Sequence, residues 1–226
     1  MLAYKAPLRD MQFVAHELLK SEAHYEKIGA EDASRDMVDA ILTEGAKFSE
    51  QVLAPLYISG DDGCELVDGK VITPAGFKEA YAQYVDAGWP SIASSVEHGG
   101  QGLPESIATY ISEMASTANW AWGMYPGLSH GAKHTIEAFG TDEQKSRFLE
   151  PLITGEVTGT MCLTEPHCGS DLGLLKTRAD NKADGAFSIN GTKIFISAGD
   201  HDFTDNIIHV VLARLPGAPE GTKGIS

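Results

Sequence analysis

Met161-Cys162-Leu163-Thr164-Glu165-Pro166-His167-Cys168-Gly169-Ser170-Asp171 marks the change in this sequence from helical to strand-like patterns. Its β-type residues lead into a turn of small and hydroxyl-bearing side chains, and such a loop exposes backbone N–H groups to a ligand. The oxygens of Thr164 and Ser170 would face the same ligand. An ordinary Pro/Gly turn closed by a side-chain bond from Asp171 is the alternative, and on spacing alone it is the favoured interpretation.

The chain before this stretch has helical periodicity. Apolar residues recur at helical spacing over 34–53, and Pro55 should end that helix. The pair Thr73-Pro74 predicts an N-cap followed by proline at the first helical position. Two further helix starts are predicted at Pro104 and at Thr141, which resembles the first residue of a capping box.

The chain after this stretch alternates short β-type runs with turn signals such as Asp184-Gly185 and Asn190-Gly191. We predict strands over 160–164, 174–179, 187–189, 192–197 and 206–213. Helices followed by strands indicate two segregated units rather than an alternating α/β sheet, with the boundary near Glu156. Gly224-Ile225-Ser226 is typical of the start of another strand, so we expect the chain to stop inside a domain.

The composition excludes several classes of function. The chain has 226 residues, 17 basic and 32 acidic, for a formal charge of −15. Nucleic acids and anionic lipids are bound mainly by Lys and Arg, so neither is an expected partner, although backbone N–H groups remain able to bind a phosphate-bearing ligand. No apolar run is long enough for a membrane span or a signal peptide. Three cysteines argue against a disulfide framework, and we expect a soluble, cytoplasmic protein.

Three segments together carry a resemblance to a known family. Residues 162–171 resemble the flavin-binding signature of the acyl-CoA dehydrogenases. Residues 140–156 are similar to the last helix before that family's β domain, and residues 189–199 resemble its second flavin-contacting strand. The three motifs follow the family's order and spacing, and the match covers essentially the whole chain. The N-terminal extension and the run 123–127 resemble the subgroup that includes 3-methylthiopropanoyl-CoA dehydrogenases.

The resemblance implies a multidomain α and β fold. An N-terminal helical domain would be followed by an incomplete antiparallel β-barrel-like domain, and the family's C-terminal helical domain would be absent. In these terms the chain divides into an N-terminal helical extension over 1–58, the family's N-terminal helical domain over 59–157, and a truncated middle β domain over 158–226.

The resemblance also implies where FAD would bind. The flavin ring would lie beside residues 161–170, and its polar edge would be bonded by the backbone around Leu163 and by the Thr164 hydroxyl. An aromatic side chain would pack on the ring and a hydroxyl would bond near its reactive nitrogen. The cofactor-binding residues so implied are Met161, Cys162, Leu163, Thr164, Gly169, Ser170, Phe195, Ile196 and Ser197.

An acyl-CoA substrate would contact two regions. Ser170 corresponds to the family's contact with the thioester arm, and the run 123–131 would align with the helix that lines the acyl pocket. There Gly127 leaves room for a chain, while Met124 and Leu128 would shape the pocket. A core helix loosened by glycines is the equally favoured alternative for this run.

The implied reaction is the flavin-dependent conversion of a saturated acyl-CoA, a fatty acyl or 3-methylthiopropanoyl thioester, to the trans-2-enoyl-CoA, as in β-oxidation. The family's catalytic base is a glutamate of a later helical domain, so we expect it beyond Ser226 and expect this chain alone to be inactive. Glu165 would orient its loop instead. Relatives form homo-oligomers and use an electron-transfer flavoprotein as acceptor. A related flavin oxidase or monooxygenase, and a non-catalytic acyl-CoA-binding or partner-binding fragment, are the alternatives.

Other candidate sites are weaker. His130 and His134 are four residues apart, as in a helical metal pair, but Gly131 stands where a zinc protease of that type has its glutamate. The glycine-rich run 98–102 lacks the spacing of a dinucleotide-binding loop. Cys162, His167 and Cys168 do not have the spacing of a zinc site. We therefore predict no metal.

Overall fold

The computed structural model describes residues 4–226, so the first three positions of the predicted N-terminal extension lie outside the described residues. The eight α-helices of the described residues all lie before Gly155, and four of the six strands lie from Thr158 onward. The α-helices are α1 (Leu8–Gln12), α2 (Ser21–Lys27), α3 (Arg35–Phe48), α4 (Tyr57–Asp62), α5 (Phe77–Asp86), α6 (Glu105–Ala118), α7 (Trp120–Phe139) and α8 (Asp142–Thr154). The strands are β1 (Glu65–Val67), β2 (Lys70–Ile72), β3 (Thr158–Cys162), β4 (Arg178–Asn181), β5 (Phe187–Asn190) and β6 (Ile207–Val211).

Two of the predicted helix starts are confirmed, and one of them has the expected capping box. The Thr141 hydroxyl accepts from the backbone N–H of Gln144, and the Gln144 side chain accepts from the backbone N–H of Thr141, which completes the capping box of α8. Helix α6 begins directly after Pro104, as expected. The capping box satisfies backbone donors that would otherwise have no partner in the first turn of α8.

Two predictions about helix ends were wrong. The chain does not leave the helical path at Pro55, because a π-helical segment (Ser49–Leu53) and a 3₁₀ turn (Ala54–Leu56) connect α3 to α4. Thr73 does not cap α5, which begins three residues after Pro74 behind Gly76, a residue at φ +86°. The Thr73 hydroxyl instead donates to Asp202 Oδ1 at 2.6 Å, a bond to the far end of the chain.

The strands do not form the antiparallel barrel-like domain that was expected. Strand β3 pairs with β6 in parallel, from Thr158 opposite Ile207 to Cys162 opposite Val211. Strands β4 and β5 form an antiparallel hairpin, and β1 and β2 another. Within residues 4–226 these are separate two-stranded units, and no closed barrel is present. The parallel pairing is possible because the whole hairpin region lies between β3 and β6 in sequence, which supplies the long connection that parallel strands need.

One predicted strand is absent, one starts later than predicted, and the strand start expected at the end of the chain is supported. The strand predicted over 174–179 begins only at Arg178, because Leu172–Leu174 form a 3₁₀ turn. The segment 192–197 is not a strand, because Phe195 adopts φ +55° and breaks the extended path. At the end of the chain Ser226 and Ala213 exchange two backbone hydrogen bonds of 2.9 Å, which agrees with the strand start expected at 224–226.

Two clusters of buried side chains hold the helices together. One joins the N-terminal segments to α3 and α6, around Leu42, Ile107 and Met114. The other surrounds Trp122, which is fully buried and donates its indole N–H to the Phe77 carbonyl at 3.2 Å. No helix among residues 4–226 is long and apolar enough to cross a lipid bilayer.

Helix α7 packs directly across β3, and this contact positions the strand that leads into the candidate site. The Gly159 backbone N–H donates to the Ser129 hydroxyl at 3.0 Å. A Cβ at Gly159 would lie 2.5 Å from the Cβ of Ala132, so only glycine allows this approach.

Candidate functional site

The loop after β3 is a tight turn. The backbone N–H of Glu165 donates to the Cys168 carbonyl at 2.8 Å, and the N–H of Cys168 donates to the Glu165 carbonyl at 3.1 Å. Gly169 then packs on Thr164, because a Cβ at Gly169 would lie 3.3 Å from Thr164 Cγ2. The sequence of the turn therefore folds it back on itself and leaves Ser170 exposed at its end.

The Glu165 carboxylate anchors this turn to two other segments. It is 3% exposed and accepts from the backbone N–H groups of Lys176 at 2.8 Å and Thr177 at 2.9 Å. It also pairs with the Lys193 ammonium at 3.0 Å. Burial alone would raise the pKa of Glu165, but donors on Thr177, Lys176 and Lys193 outweigh it and lower the pKa to about 2. The carboxylate is therefore ionised and engaged, which fits the loop-orienting role expected for it.

Lys193 and Ile194 bring the second motif alongside the first. The Lys193 ammonium donates to the Leu163 carbonyl at 3.0 Å as well as to Glu165, and the Ile194 N–H donates to the Thr164 carbonyl at 3.0 Å. The two segments that the family resemblance implied would contact flavin are therefore joined side by side.

Phe195 ends this segment in an unusual state. Its side chain is 89% exposed and its backbone lies at φ +55°, in the left-handed region that a residue with a Cβ rarely adopts. Ala198 has φ +53°, so two of four consecutive residues are in this region. Such conformations cost of order 1–3 kcal/mol each and concentrate at ligand sites. Ile196 is half-buried and Ser197 is exposed.

The remaining predicted flavin contacts lie on β3 and its continuation. Met161 is half-buried on the strand, whereas the Cys162 side chain is buried, with its thiol 3.7 Å from the Thr160 hydroxyl. Leu163 and Thr164 are half-buried at the end of the strand. The Cys162 side chain is therefore part of the packing, which leaves only its backbone available for the predicted flavin contact.

Of the three predicted substrate residues on α7, one lines a cavity and two do not. A cavity of about 300 Å³ lies between α6 and α7, and Gly127 lines it together with Gly123, Pro126 and Ser129. Met124 and Leu128 are half-buried on the same helix but are not among the lining residues. The fourth predicted substrate residue, Ser170, lies on the turn after β3 and not on α7.

Sequence reasoning missed three long-range connections. The Glu165–Lys193 pair joins residues 28 positions apart, and the bond from Thr73 to Asp202 joins residues 129 positions apart. Neither has a local pattern that would reveal it. The third connection joins His130 and His134 to Glu105, and its partial signal was the four-residue spacing of the histidines.

Comparison with known sequences gives a consistent group of relatives. The profile of the acyl-CoA dehydrogenase N-terminal domain matches residues 41–156. The 3-methylmercaptopropionyl-CoA dehydrogenase of Ruegeria pomeroyi is 42% identical over 100% of this chain and 38% of its own length. A butyryl-CoA dehydrogenase of Syntrophomonas wolfei is 37% identical over 99% of the chain and 37% of its own length. The chain thus spans under two fifths of the length of these curated relatives.

Solved structures of the same kind share the fold. Butyryl-CoA dehydrogenase from Megasphaera elsdenii superposes with a TM-score of 0.67 and 25% identity, covering 84% of this chain and 46% of the other. The acyl-CoA dehydrogenase from Geobacillus kaustophilus gives a TM-score of 0.65 and 25% identity, covering 86% of this chain and 47% of the other. The described elements therefore match the N-terminal and middle parts of those folds.

Proposed function

Because the chain belongs to the acyl-CoA dehydrogenase family, we propose that the protein containing it oxidises a saturated acyl-CoA to the trans-2-enoyl-CoA with bound FAD. The observation that carries this proposal is the pairing of segment 161–170 with segment 193–197. In the second segment the Phe195 side chain is exposed and its backbone is in the left-handed region. The activity, substrate and acceptor are those of the whole protein, of which this chain is one part.

The residues at this junction fit an isoalloxazine ring. An aromatic side chain that is 89% exposed leaves most of its apolar surface in water, which is unfavourable at about 25 cal/mol for each Å². Stacking against a planar ring would remove that cost. The strained backbone at Phe195 and Ala198 is also explained if it is the conformation that presents the phenyl ring and the adjoining amides to a cofactor.

Each residue then has a defined task. Phe195 would pack on the flavin ring, the Thr164 hydroxyl would hydrogen-bond its polar edge, and the Ser197 hydroxyl would bond near its reactive nitrogen. Leu163 and Gly169 contribute backbone, and Glu165 with Lys193 fixes the two segments relative to each other. Bound FAD supplies the acceptor for the hydride that leaves the β-carbon, while the protein tunes and positions it.

Glu165 is not proposed as the base that removes the α-proton. A general base works best with a pKa near the operating pH, whereas the pKa of Glu165 is about 2. Its oxygens already accept from Lys176, Thr177 and Lys193. We therefore propose that the base is a carboxylate supplied by a part of the protein outside residues 4–226, as the family resemblance implies.

The acyl chain is proposed to approach α7. The cavity between α6 and α7 has room for several methylene groups, and Gly123 and Gly127 contribute no side chain to its wall. Ser170 would contact the thioester arm. The relatives carry names that specify a methylthio, a butyryl and a broad linear substrate, so a short saturated acyl-CoA is the first substrate to test.

The decisive experiment is an anaerobic titration of the full-length protein with butanoyl-CoA, 3-methylthiopropanoyl-CoA and palmitoyl-CoA, followed by its visible spectrum. Bleaching of an oxidised flavin band, with enoyl-CoA as product, supports the proposal. A flavin band that no acyl-CoA bleaches refutes the dehydrogenase reaction but keeps the cofactor site. A protein without flavin that still binds acyl-CoA favours a binding function.

The acceptor and the assembly are separate parts of the proposal. We propose an electron-transfer flavoprotein as the acceptor and a homo-oligomer as the assembly. Reoxidation by oxygen with stoichiometric hydrogen peroxide would identify an oxidase instead. Light scattering of the full-length protein measures the oligomeric state.

A further inference from the structure

Glu105, His130 and His134 converge on one point at the surface. Glu105 is the first residue of α6, and the two histidines are one turn apart on α7. Nε2 of His130 lies 3.3 Å from Glu105 Oε1, and Nε2 of His134 lies 3.8 Å from Glu105 Oε2. The side chains are about half exposed, at 47% and 50% for the histidines and 50% for the glutamate, so an ion from solvent can reach them.

The spacing of these atoms suits a tetrahedral metal ion. Bonds of about 2.0–2.1 Å to Zn²⁺ place neighbouring tetrahedral ligands about 3.4 Å apart. The two measured separations, 3.3 and 3.8 Å, bracket that value. All three ligand atoms lie within 4.8 Å of one another. Two imidazoles and one carboxylate are a donor set used for zinc, with a fourth position left for water.

Lys133, which lies between the two histidines in sequence, is already hydrogen-bonded to another segment. Lys133 lies on α7 between the histidines, but its ammonium is buried and donates to the Pro90 carbonyl at 3.1 Å and the Ser94 hydroxyl at 2.6 Å. These two bonds hold the ammonium against the segment 90–94. The two imidazole rings are in edge contact, with centroids 4.4 Å apart, so they already occupy one small volume.

A second group of possible ligands, Glu165, His167 and Cys168, is less suited. Both Glu165 oxygens accept hydrogen bonds, and His167 Nε2 bonds the Leu174 carbonyl at 3.0 Å. A metal there would have to break the anchor of the turn. The Glu105 group has no such commitment to the fold.

We propose that Glu105, His130 and His134 bind one divalent transition-metal ion of the Zn²⁺ type, which links the N-terminal turn of α6 to α7. Glu105 and His130 also line the cavity between these helices, so the ion would stand at its rim and hold its two walls together. The open fourth position would carry water.

The test is a Zn²⁺ titration of chelator-treated full-length protein by calorimetry, repeated with Co²⁺ and followed by visible absorption. We expect one site for each chain, lost in His134→Gln and in Glu105→Gln. Removing a ligand should weaken binding by more than the roughly 10- to 100-fold that loss of an outer partner costs. Circular dichroism establishes that each variant is folded, which these exposed positions should allow.

Two controls separate this site from adventitious binding. His24→Gln alters an exposed histidine outside both groups and should leave the affinity unchanged. His167→Gln alters the second group and should also leave it unchanged. Binding that persists undiminished in His134→Gln and Glu105→Gln, or that disappears in His167→Gln, overturns the proposal, as does the absence of stoichiometric binding to the wild-type protein.

Discussion

Replacing Glu165 with glutamine keeps the shape of a buried side chain and removes its charge. In the wild-type protein that charge accepts from two backbone N–H groups and from the ammonium of Lys193, whose side chain is only 11% exposed. In the variant the Lys193 ammonium loses its counter-charge while its side chain remains mostly inaccessible to solvent. Loss of one partner of a buried pair typically costs about 3–5 kcal/mol.

The magnitude can be worked from the ionisation of Glu165. Its pKa falls from an ordinary 4.5 to about 2 on folding. At about 1.36 kcal/mol for each tenfold change in proton affinity, this corresponds to roughly 3 kcal/mol of stability at pH 7. Because the folded pKa lies below the unfolded one, this contribution is present above about pH 4.5 and is lost as the pH falls through about 2. At pH 3 roughly 1.4 kcal/mol should remain.

Urea unfolding followed by far-ultraviolet circular dichroism measures the difference between the two proteins. We expect Glu165→Gln to be about 3 kcal/mol less stable at pH 7, with the difference at least halved at pH 3. Glu44→Gln is the matched control, since it breaks a Glu–Lys pair of 2.6 Å at sites that are 61% and 54% exposed. Exposed pairs contribute up to about 1 kcal/mol. A Glu165→Gln variant within about 0.5 kcal/mol of the wild type at pH 7 would refute the anchoring role.

Three further predictions concern packing and long-range bonds. Gly159→Ala should destabilise the protein by about 1–3 kcal/mol, because the new methyl would lie 2.5 Å from the Cβ of Ala132 on α7. Gly131→Ala, on the same helix, adds a methyl with nothing within 4 Å and should stabilise the protein by up to about 1 kcal/mol. Thermal unfolding compares the two variants. Thr73→Val should cost about 1–3 kcal/mol in urea unfolding by leaving Asp202 without its 2.6 Å donor, and an unchanged midpoint would contradict this. Burial lowers the pKa of His201 from 6.5, so acidification below pH 6.5 should destabilise the wild type more than His201→Gln, as stability curves at several pH values would reveal.

The helical half of the fold was largely predictable because its signals are local. The capping box at Thr141 and the start of α6 after Pro104 depend on residues within one turn of each other. The prediction at Thr73 failed because its hydroxyl bonds Asp202, and no local pattern reveals a partner so far along the chain. The π-helical path through 49–53 likewise keeps α3 running toward α4 where proline alone predicts a stop.

The strand half was less predictable because pairing is a long-range property. The runs at β3, β5 and β6 were located, but parallel pairing of β3 with β6 was not. At 192–197 the β-type residues predicted a strand, whereas Phe195 takes a left-handed conformation that propensity disfavours. That local conflict falls within the motif proposed to contact the cofactor, as expected where a site overrides ordinary preferences.

The candidate site was found through motifs, and its geometry only through the structure. The family resemblance implied that 161–170 and 189–199 contact the same flavin, and the bonds from Lys193 and Ile194 join these two segments. The metal-like pair His130 and His134 was set aside because no glutamate lies between them, while its carboxylate comes from the start of α6. The spacing of the histidines within α7 does not reveal that a carboxylate from α6 lies beside them.

The flavin content of full-length wild type, Phe195→Ala and Phe139→Ala, measured by absorption after identical purification, tests whether Phe195 contacts bound FAD. The two phenylalanines are 89% and 86% exposed, so neither substitution should destabilise the fold by loss of packing. We expect FAD in the wild type and unchanged flavin binding in Phe139→Ala. In Phe195→Ala we expect flavin binding to be about tenfold or more weaker, in line with the roughly 1–3 kcal/mol that aromatic stacking on a base contributes. Equal flavin occupancy in all three proteins, or no flavin in any of them, would contradict it.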